Sequence, residues 1–202
     1  MQMRALVLGA AAAAMLATSA CNKTNDTAKN GPPEAQTKKA QKIAGTKTIA
    51  AGLSPTSRFM VAAKSAGLDQ TLAGPGPYTV FVPDDSAFNG APQGMFDPTP
   101  QNRGQITGII ANLILPGTVM VTDIDKAIDE RKGPTKLATM GGGTLTASKD
   151  GGKTVLTDAL GHKATITQAD EQYTNGVVHH IDALLMPSNR TTGANAGQKR
   201  GR

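Results

Sequence analysis

The second half of this chain consists of short runs of strand-forming residues separated by glycine-rich turns. The runs lie between residues 136 and 186 and read KLATM, GTLTAS, KTVLTD, KATITQA and VVHHIDALLM. The separators include Gly141–Gly143, Asp150–Gly152 and the Gly161-His162 pair. Asp-Gly and Gly-Gly between such runs are hairpin signals, because glycine adopts the positive φ angles that tight turns need. The pattern predicts an antiparallel sheet made of consecutive hairpins.

From Thr48 to Leu72 the apolar residues have helical spacing instead. Pro55 is favourable at the first position of a helix and Ser54 is a good N-cap, so a helix is predicted to begin there. Gly67 fits the left-handed C-cap position, and residues 68–72 are expected to add one more turn. The apolar positions recur three and four residues apart, at Phe59, Met60, Ala63 and Ala66.

A short strand interrupts these helices at Tyr78–Val82, where aromatic and β-branched residues precede Pro83. Asp84 is then predicted to cap a helix, with Asp85 and Ser86 in its first turn, where negative charge suits the helix dipole. Phe88 is expected to fold back onto the core.

Three further elements lie between this strand and the hairpins. They are an amphipathic helix over 101–113, a strand-like stretch over 114–120 around Pro116-Gly117, and a short helix over 123–130. The helix 101–113 places Ile106, Ile109, Ile110 and Leu113 on one face. Because helices cluster early and strands late, the fold class is α+β with mainly antiparallel strands.

The first twenty residues have the composition of a secretory signal peptide. Arg4 is followed by an apolar run over 5–17, which is too short to span a bilayer, and small residues precede Cys21. This arrangement resembles the lipobox of bacterial lipoproteins, except that Thr18 stands where Leu is usual. The resemblance implies that Cys21, the one cysteine of the chain, receives lipid. A lipid anchor of this kind replaces a membrane-spanning helix. The residue after the cysteine is Asn22; an Asp at that position often signals retention in the inner membrane, so its absence favours the outer membrane of the cell envelope.

Charge is distributed unevenly, and this argues against binding to nucleic acid. The net charge of +6 comes from the ends. The segment 22–47 has six lysines and two acidic residues, and the tail 188–202 has four basic residues and no acidic ones. The body, 48–187, has ten basic and thirteen acidic residues.

The expected organisation of the chain has four parts. They are a signal peptide over 1–20, a lipidated cysteine with a flexible basic tether over 21–47, one domain over 48–187, and a disordered basic tail over 188–202.

Two adjacent histidines, His179 and His180, suggest a site in NGVVHHIDALLMP, residues 175–187. Side chains alternate along a strand, so His179 and His180 are predicted to point to opposite faces and cannot bind one metal ion together. His179 is expected to be a core residue hydrogen-bonded to backbone. His180 and Asp182 share the other face and are the candidate contacts for a partner.

Catalysis, cofactors and metals are not expected. Ser86 lies near aspartates, but no Gly-x-Ser-x-Gly motif accompanies it, and helix capping explains Asp84, Asp85 and Ser86. The glycine-rich stretches lack the phosphate-binding pattern and are better explained as turns. A zinc site needs three or four ligands, and no third ligand is visible near His180 and Asp182. The methionines of the body are expected to be core residues.

Two segments resemble the two sequence boxes of fasciclin-type domains. TVFVPDDSAF, Thr79–Phe88, is similar to the first box, and NGVVHHIDALLMP is similar to the second. The resemblance covers about residues 46–187 and implies a β-sandwich-like wedge with helices packed around it. The family usually has a Tyr-His pair where this chain has Asn112-Leu113. In animal members that region is linked with integrin-dependent adhesion, and because both ring residues are missing here, that role is not carried over. Leu113 is expected to fill a core position.

The resemblance also implies a function by binding. A non-enzymatic, lipid-anchored and monomeric adhesion module is expected, facing the periplasm or the exterior and contacting a surface polymer or a protein. Some secreted members of the family bind apolar molecules, so a carrier of a carotenoid-like molecule is the alternative. Its cleft is expected between the early helices and the sheet.

Overall fold

The computed structural model describes residues 45–188. The predictions for the signal peptide 1–20, for Cys21, for most of the tether and for the tail beyond Ser188 therefore lie outside the described residues. Within residues 45–188, no helix is both long and apolar enough to cross a membrane.

Five α-helices and one 3₁₀ helix form the helical part of the described chain. They are α1 (Ile49–Gly52), α2 (Arg58–Ala66), α3 (Asp69–Ala73), the 3₁₀ helix (Asp85–Gly90), α4 (Pro100–Asn112) and α5 (Val121–Arg131). Helix α2 packs on α4, α1 packs on α3, and α5 packs on the strands of the hairpin region. All the helices expected after Ser54 are present, within a few residues of the predicted bounds.

The start of α2 differs from the prediction that Ser54 caps a helix beginning at Pro55. Instead, the carbonyl of Ser54 accepts hydrogen bonds from both the backbone N–H and the hydroxyl of Ser57, which makes 54–57 a turn. Ser57 is the N-cap, and its hydroxyl accepts from the N–H of Met60. The end of the helix was predicted correctly, because Gly67 adopts the left-handed conformation with φ 75°.

Seven strands form one sheet. They are β1 (Tyr78–Pro83), β2 (Ile114–Pro116), β3 (Thr135–Ala138), β4 (Thr144–Asp150), β5 (Lys153–Thr157), β6 (Lys163–Tyr173) and β7 (Gly176–Ile181). Their order is β2-β1-β7-β6-β5-β4-β3. Neighbours pair antiparallel except β1 and β7, which run parallel with Val80 opposite Val178. The predicted α+β fold with mainly antiparallel strands is confirmed.

The sheet is bent into a nearly closed wedge. Strand β6 pairs with β5 through its first residues and with β7 along most of its length, and its register with β7 shifts twice between Ile166 and Glu171. Such irregularities bend a strand and increase its twist. The two edge strands then approach each other, and the N–H of Met140 donates to the carbonyl of Ile114 over 2.7 Å.

A single apolar core connects the helices with the sheet. Leu113 is completely buried, as the sequence predicted, and Phe88 is 1% exposed. The largest fully buried side chains include Phe59, Phe81, Phe88, Ile49 and Met60. The four residues predicted for the inner face of the helix 101–113 are all buried.

Asn175 joins the early helices to the sheet. Its side-chain oxygen accepts from the N–H of Ile49 over 2.8 Å. Its amide nitrogen donates to the carbonyls of Leu72 and Gly74, each over 2.8 Å. The backbone carbonyl of Asn175 also accepts from the N–H of Tyr78, the first residue of β1. Asn175, the first residue of NGVVHHIDALLMP, therefore fixes how α1 and α3 meet β1 and β7.

Candidate functional site

The side chain of His179 is completely buried. Its Nε2 donates to the carbonyl of Val119 over 2.9 Å, and its Nδ1 accepts from the N–H of Asp170 over 3.1 Å. This pattern requires the neutral tautomer with the proton on Nε2. Burial lowers the pKa of His179 below its ordinary value, against the opposing effects of the Val119 carbonyl and the Asp170 carboxylate. The prediction of a core histidine bonded to backbone is confirmed.

A partly buried polar network extends from His179 to the segment Gly117–Val121. Asp170 adopts a left-handed conformation, φ 61°, within the irregular part of β6. Its Oδ1 accepts from the N–H of Val121 over 2.8 Å, at the start of α5. From β1, the hydroxyl of Thr79 accepts from the N–H of Val119 and donates to the carbonyl of Gly117, both over 2.8 Å. Sequence reasoning missed Asp170 and Thr79, because neither belongs to a local pattern that indicates its partner.

His180 points to the other side of β7, as alternation predicts, and its side chain is 25% exposed. Its Nε2 lies 3.2 Å from Oε2 of Glu171, and its Nδ1 lies 3.9 Å from Oδ1 of Asp84. The other oxygen of Glu171 accepts from the hydroxyl of Tyr173 over 2.6 Å. Burial, followed by this hydrogen bond, raises the pKa of Tyr173. His180, Glu171 and Asp84 are named the imidazole–carboxylate face.

The prediction that His180 and Asp182 form a pair on one strand face is wrong. Strand β7 ends at Ile181 and not near Met186, so the alternation of side chains stops before Asp182. Asp182 is exposed, and its Oδ1 accepts from the N–H of Thr165 over 2.7 Å. The two side chains remain accessible, but each has its own partner within the fold.

The third histidine, His162, was predicted only as part of a turn. Its Nδ1 lies 2.7 Å from Oδ2 of Asp158, whose side chain is completely buried, while the His162 side chain is 54% exposed. Asp158 also accepts from three backbone N–H groups, those of Leu160, His162 and Met186. The Asp158 carboxylate therefore closes the β5–β6 turn and attaches the segment after β7 to this turn.

Asp84 is the N-cap residue of the 3₁₀ helix and Asp85 lies in its first turn, as predicted, but their side chains do not play the predicted role. The Asp84 side chain makes no capping hydrogen bond; its backbone carbonyl accepts from the N–H of Ala87. The carboxylate of Asp85 instead caps another helix, since its Oδ1 accepts from the N–H of Arg58 at the start of α2 over 2.8 Å. Ser86 is exposed, and in residues 45–188 no histidine hydrogen-bonds to its hydroxyl. This geometry provides no activated serine nucleophile.

An open groove of about 500 Å³ lies between α2 and the segment 88–97. Arg58 covers the ring of Phe88 with its guanidinium 5.3 Å from the ring centre, and its Nη1 donates to Asn89. Phe96 packs edge to face on Phe88, with ring centres 5.0 Å apart. Val61, 44% exposed, forms part of the wall. The groove combines apolar surface with a few polar groups, as ligand sites commonly do.

A metal site is not formed by the part of the chain that the structure describes. No group of three or more His, Cys, Asp or Glu side chains is arranged there to hold an ion. The three described histidines lie in different parts of the fold. His179 is in the core, His180 is on the imidazole–carboxylate face, and His162 is at the β5–β6 turn.

This chain is similar to a known protein family and to several known proteins. The family model of the Fasciclin domain matches residues 54–187. Protein sll1483 of Synechocystis is 30% identical over 141 residues, which make up 69% of this chain and 71% of that protein. Transforming growth factor-beta-induced protein ig-h3 of Sus scrofa is 29% identical over 145 residues, 72% of this chain but 19% of that protein.

A solved structure shows the same fold. It is a FAS1 domain pair from the insect cell adhesion molecule Fasciclin I, which aligns with a TM-score of 0.60 at 17% sequence identity. The alignment covers 70% of this chain and 51% of that chain.

Proposed function

The chain belongs to the Fasciclin domain family, and on that premise we propose that it is a non-enzymatic binding module that mediates contact between a bacterial cell and a surface polymer or protein. The observation that carries the proposal is the family match over 54–187, nearly all of the described chain. The solved structure with the same fold supports it by name, since it comes from an insect cell adhesion molecule. The alignment covers 51% of that chain, so adhesion by this chain is our inference.

Attachment to the cell is assigned to Cys21. The apolar run 5–17 followed by small residues and a cysteine suits lipidation after removal of residues 1–20. The proposed mature protein is monomeric and consists of the anchor, the basic tether 22–47, the domain 48–187 and the basic tail. Six lysines in the tether favour a position close to anionic lipid or surface polymer. The proposed location is the cell envelope, with the outer membrane favoured.

The proposed partner contact is centred on His180 and Asp182. His180 offers a partly exposed ring between two carboxylates, and Asp182 is exposed at the end of β7. Charged and polar groups at a binding interface contribute to specificity and to the rate of association more than to affinity.

Adhesion is tested in the source bacterium by surface attachment of cells that produce the full-length protein or its variants. We expect Cys21→Ser to release the protein from the membrane fraction and to reduce attachment to the level of a deletion strain. The double variant His180→Ala with Asp182→Asn should remain in the membrane fraction and reduce attachment about tenfold. Asparagine at 182 keeps an acceptor for the Thr165 N–H, so the fold is preserved.

A matched control is the double variant Lys126→Ala with Glu130→Ala. These side chains are 73% and 65% exposed and pair over 3.7 Å on α5, the helix that packs on β3, β4 and β5. This control should attach like the wild type. Equal attachment of the wild-type and deletion strains contradicts the adhesion function. Normal attachment of the His180 and Asp182 variant contradicts only the assigned contact.

A second candidate function is a carrier of an apolar small molecule, which the groove beside α2 favours. Its volume of about 500 Å³ is in the range of small-molecule sites, and Val61 and Phe96 contribute apolar wall. If the chain is a carrier, organic extraction of natively purified protein should yield one apolar compound in a near-stoichiometric amount, detected by absorbance and mass spectrometry. Val61→Asp should abolish it. An extract without such a compound contradicts the carrier function.

A further inference from the structure

We propose that His179 and Asp170 form a proton-operated switch, in which protonation of the buried imidazole moves the Asp170 carboxylate from the start of helix α5 onto the imidazolium. The switch is a property of the fold and does not depend on the adhesion function. It controls the order of the segment Gly117–Val121 and of the first turn of α5.

In the neutral state both nitrogens of the ring are engaged. Nε2 donates to the Val119 carbonyl over 2.9 Å, and Nδ1 accepts from the Asp170 N–H over 3.1 Å. A second proton must be added at Nδ1, because Nε2 already carries the first. That proton would point at the Asp170 N–H, so two donors would face each other and this hydrogen bond would be lost.

The carboxylate of the same residue is an acceptor within reach of the new proton. Oδ1 of Asp170 lies 3.7 Å from Nδ1 of His179. The same oxygen accepts from the Val121 N–H over 2.8 Å. A charge-assisted hydrogen bond between imidazolium and carboxylate forms at about 2.7–2.9 Å, so a shift of roughly 1 Å is enough. Moving that oxygen weakens or breaks the bond to Val121.

The backbone conformation of Asp170 depends on its contacts. Its φ is 61°, and it lies where the register between β6 and β7 changes. A left-handed residue other than glycine is uncommon, although Asp and Asn adopt this conformation more readily than most, and it persists when its surroundings hold it there. Here the holding contacts are the His179 ring and the Val121 N–H, the two groups that compete for Asp170 after protonation.

Among the groups that surround the His179 ring, Asp170 is the one that can act as counter-ion of the imidazolium. Strand β1 presents the uncharged ring of Phe81, 5.5 Å away between ring centres. On β7 itself, His180 points to the other face, and its charge opposes protonation of His179 and so lowers the pKa of His179. In the first turn of α5, the Asp123 carboxylate is engaged with the Met120 N–H at 3.3 Å. Within the described chain, the segment before α5 contributes only the Val119 carbonyl.

The direction of the pH response follows from burial. Burial lowers the pKa of His179, so the native protein binds this proton on the acidic side of the ordinary value of 6.5. The unfolded chain binds the proton more readily, so native stability decreases as the pH falls below that value. Capture by Asp170 reduces the cost of the charge, and the structural change is confined to the segment next to α5.

The test is hydrogen exchange of the full-length protein at pH 7.5 and pH 5.0, read by mass spectrometry and corrected for the intrinsic pH dependence of exchange. This range lies above about 4, where carboxylates ordinarily titrate. We expect the amides of Asp170 and Val121 to exchange at least tenfold faster at pH 5.0. Amides of β1 should keep their protection at both values.

Three variants decide whether the proton on His179 is responsible. His179→Gln cannot be protonated and should show no acceleration, whereas His180→Gln, the matched control, should respond like the wild type. Asp170→Asn retains an acceptor for Val121, tolerates the left-handed conformation and lacks the charge, so the acceleration at Val121 should disappear. This variant also serves if His179→Gln does not fold. Equal protection of the wild type at both pH values, or an acceleration that persists in Asp170→Asn, overturns the proposal.

Discussion

Replacing Asn175 by alanine should lower the free energy of unfolding by roughly 3–6 kcal/mol, because two buried polar groups, at about 1–3 kcal/mol each, and one partly buried group, at less, lose their partner. The groups left behind are the N–H of Ile49 and the carbonyls of Leu72 and Gly74. Such a loss is a large fraction of the roughly 5–15 kcal/mol by which a domain is stable. Urea unfolding at 25 °C, followed by circular dichroism, measures the change.

Asn102→Ala is the matched control for this loss. The Asn102 amide also donates to two carbonyls, those of Gly94 over 2.8 Å and Asp97 over 3.2 Å, but they belong to a surface segment that water reaches. We expect a cost of about 1 kcal/mol or less. Equal losses for the two variants would show that Asn175 does not hold the helices to the sheet in the way the contacts indicate.

Replacing Asp158 by asparagine should cost roughly 2–4 kcal/mol at neutral pH. Oδ2 of Asp158 accepts from the Met186 N–H over 2.8 Å and from the His162 ring, while Oδ1 accepts two more backbone N–H groups. The asparagine side chain has one oxygen and one NH₂ group. Whichever way the amide is turned, its NH₂ group therefore faces N–H donors that one of the two Asp158 oxygens accepts in the wild type. Asp150→Asn, on the exposed β4–β5 turn, should change stability by less than about 0.5 kcal/mol.

The pH dependence of the Asp158 effect has a definite sign. Burial raises the pKa of Asp158, but hydrogen bonds from Met186, from the ring and backbone of His162, and from Leu160 outweigh burial and hold it below the ordinary 3.8. A lowered pKa means that the stabilisation is complete above the ordinary value and is lost as the pH falls through the folded value. The difference between wild type and Asp158→Asn should therefore shrink below about pH 3.8. A difference that stays constant down to pH 2 contradicts a titrating, hydrogen-bonded carboxylate.

Local patterns predicted most of the secondary structure of the body. Gly67 ends α2 in the left-handed conformation, as expected, because glycine is the residue for which this conformation is least strained. The β4–β5 and β5–β6 hairpins lie where Asp-Gly and Gly-His separate the strands. The start of α2 was misplaced, because Ser54 and Ser57 are both acceptable caps and the turn between them decides which is used.

The candidate site could be predicted only in part. Alternation along β7 placed His179 inside and His180 on the other side, and both placements hold. Alternation also suggested that His180 and Asp182 act together, but the strand ends before Asp182, and Thr165 takes its carboxylate. The partners Glu171 and Asp170 were not foreseen, because the irregular register of β6 brings them to β7 and no sequence spacing encodes it.

The sequence by itself determined the elements, the family and the inward position of His179, because these depend on residue types at short spacing. Only the tertiary structure decided which polar groups meet. The parallel pairing of β1 with β7 joins segments about a hundred residues apart, and Asn175 bonds to Ile49 across 126 positions. Such contacts form because burial leaves each polar group dependent on whatever partner the folded chain brings within reach. That is why Asp170 serves both His179 and helix α5, a relation that no local pattern could predict.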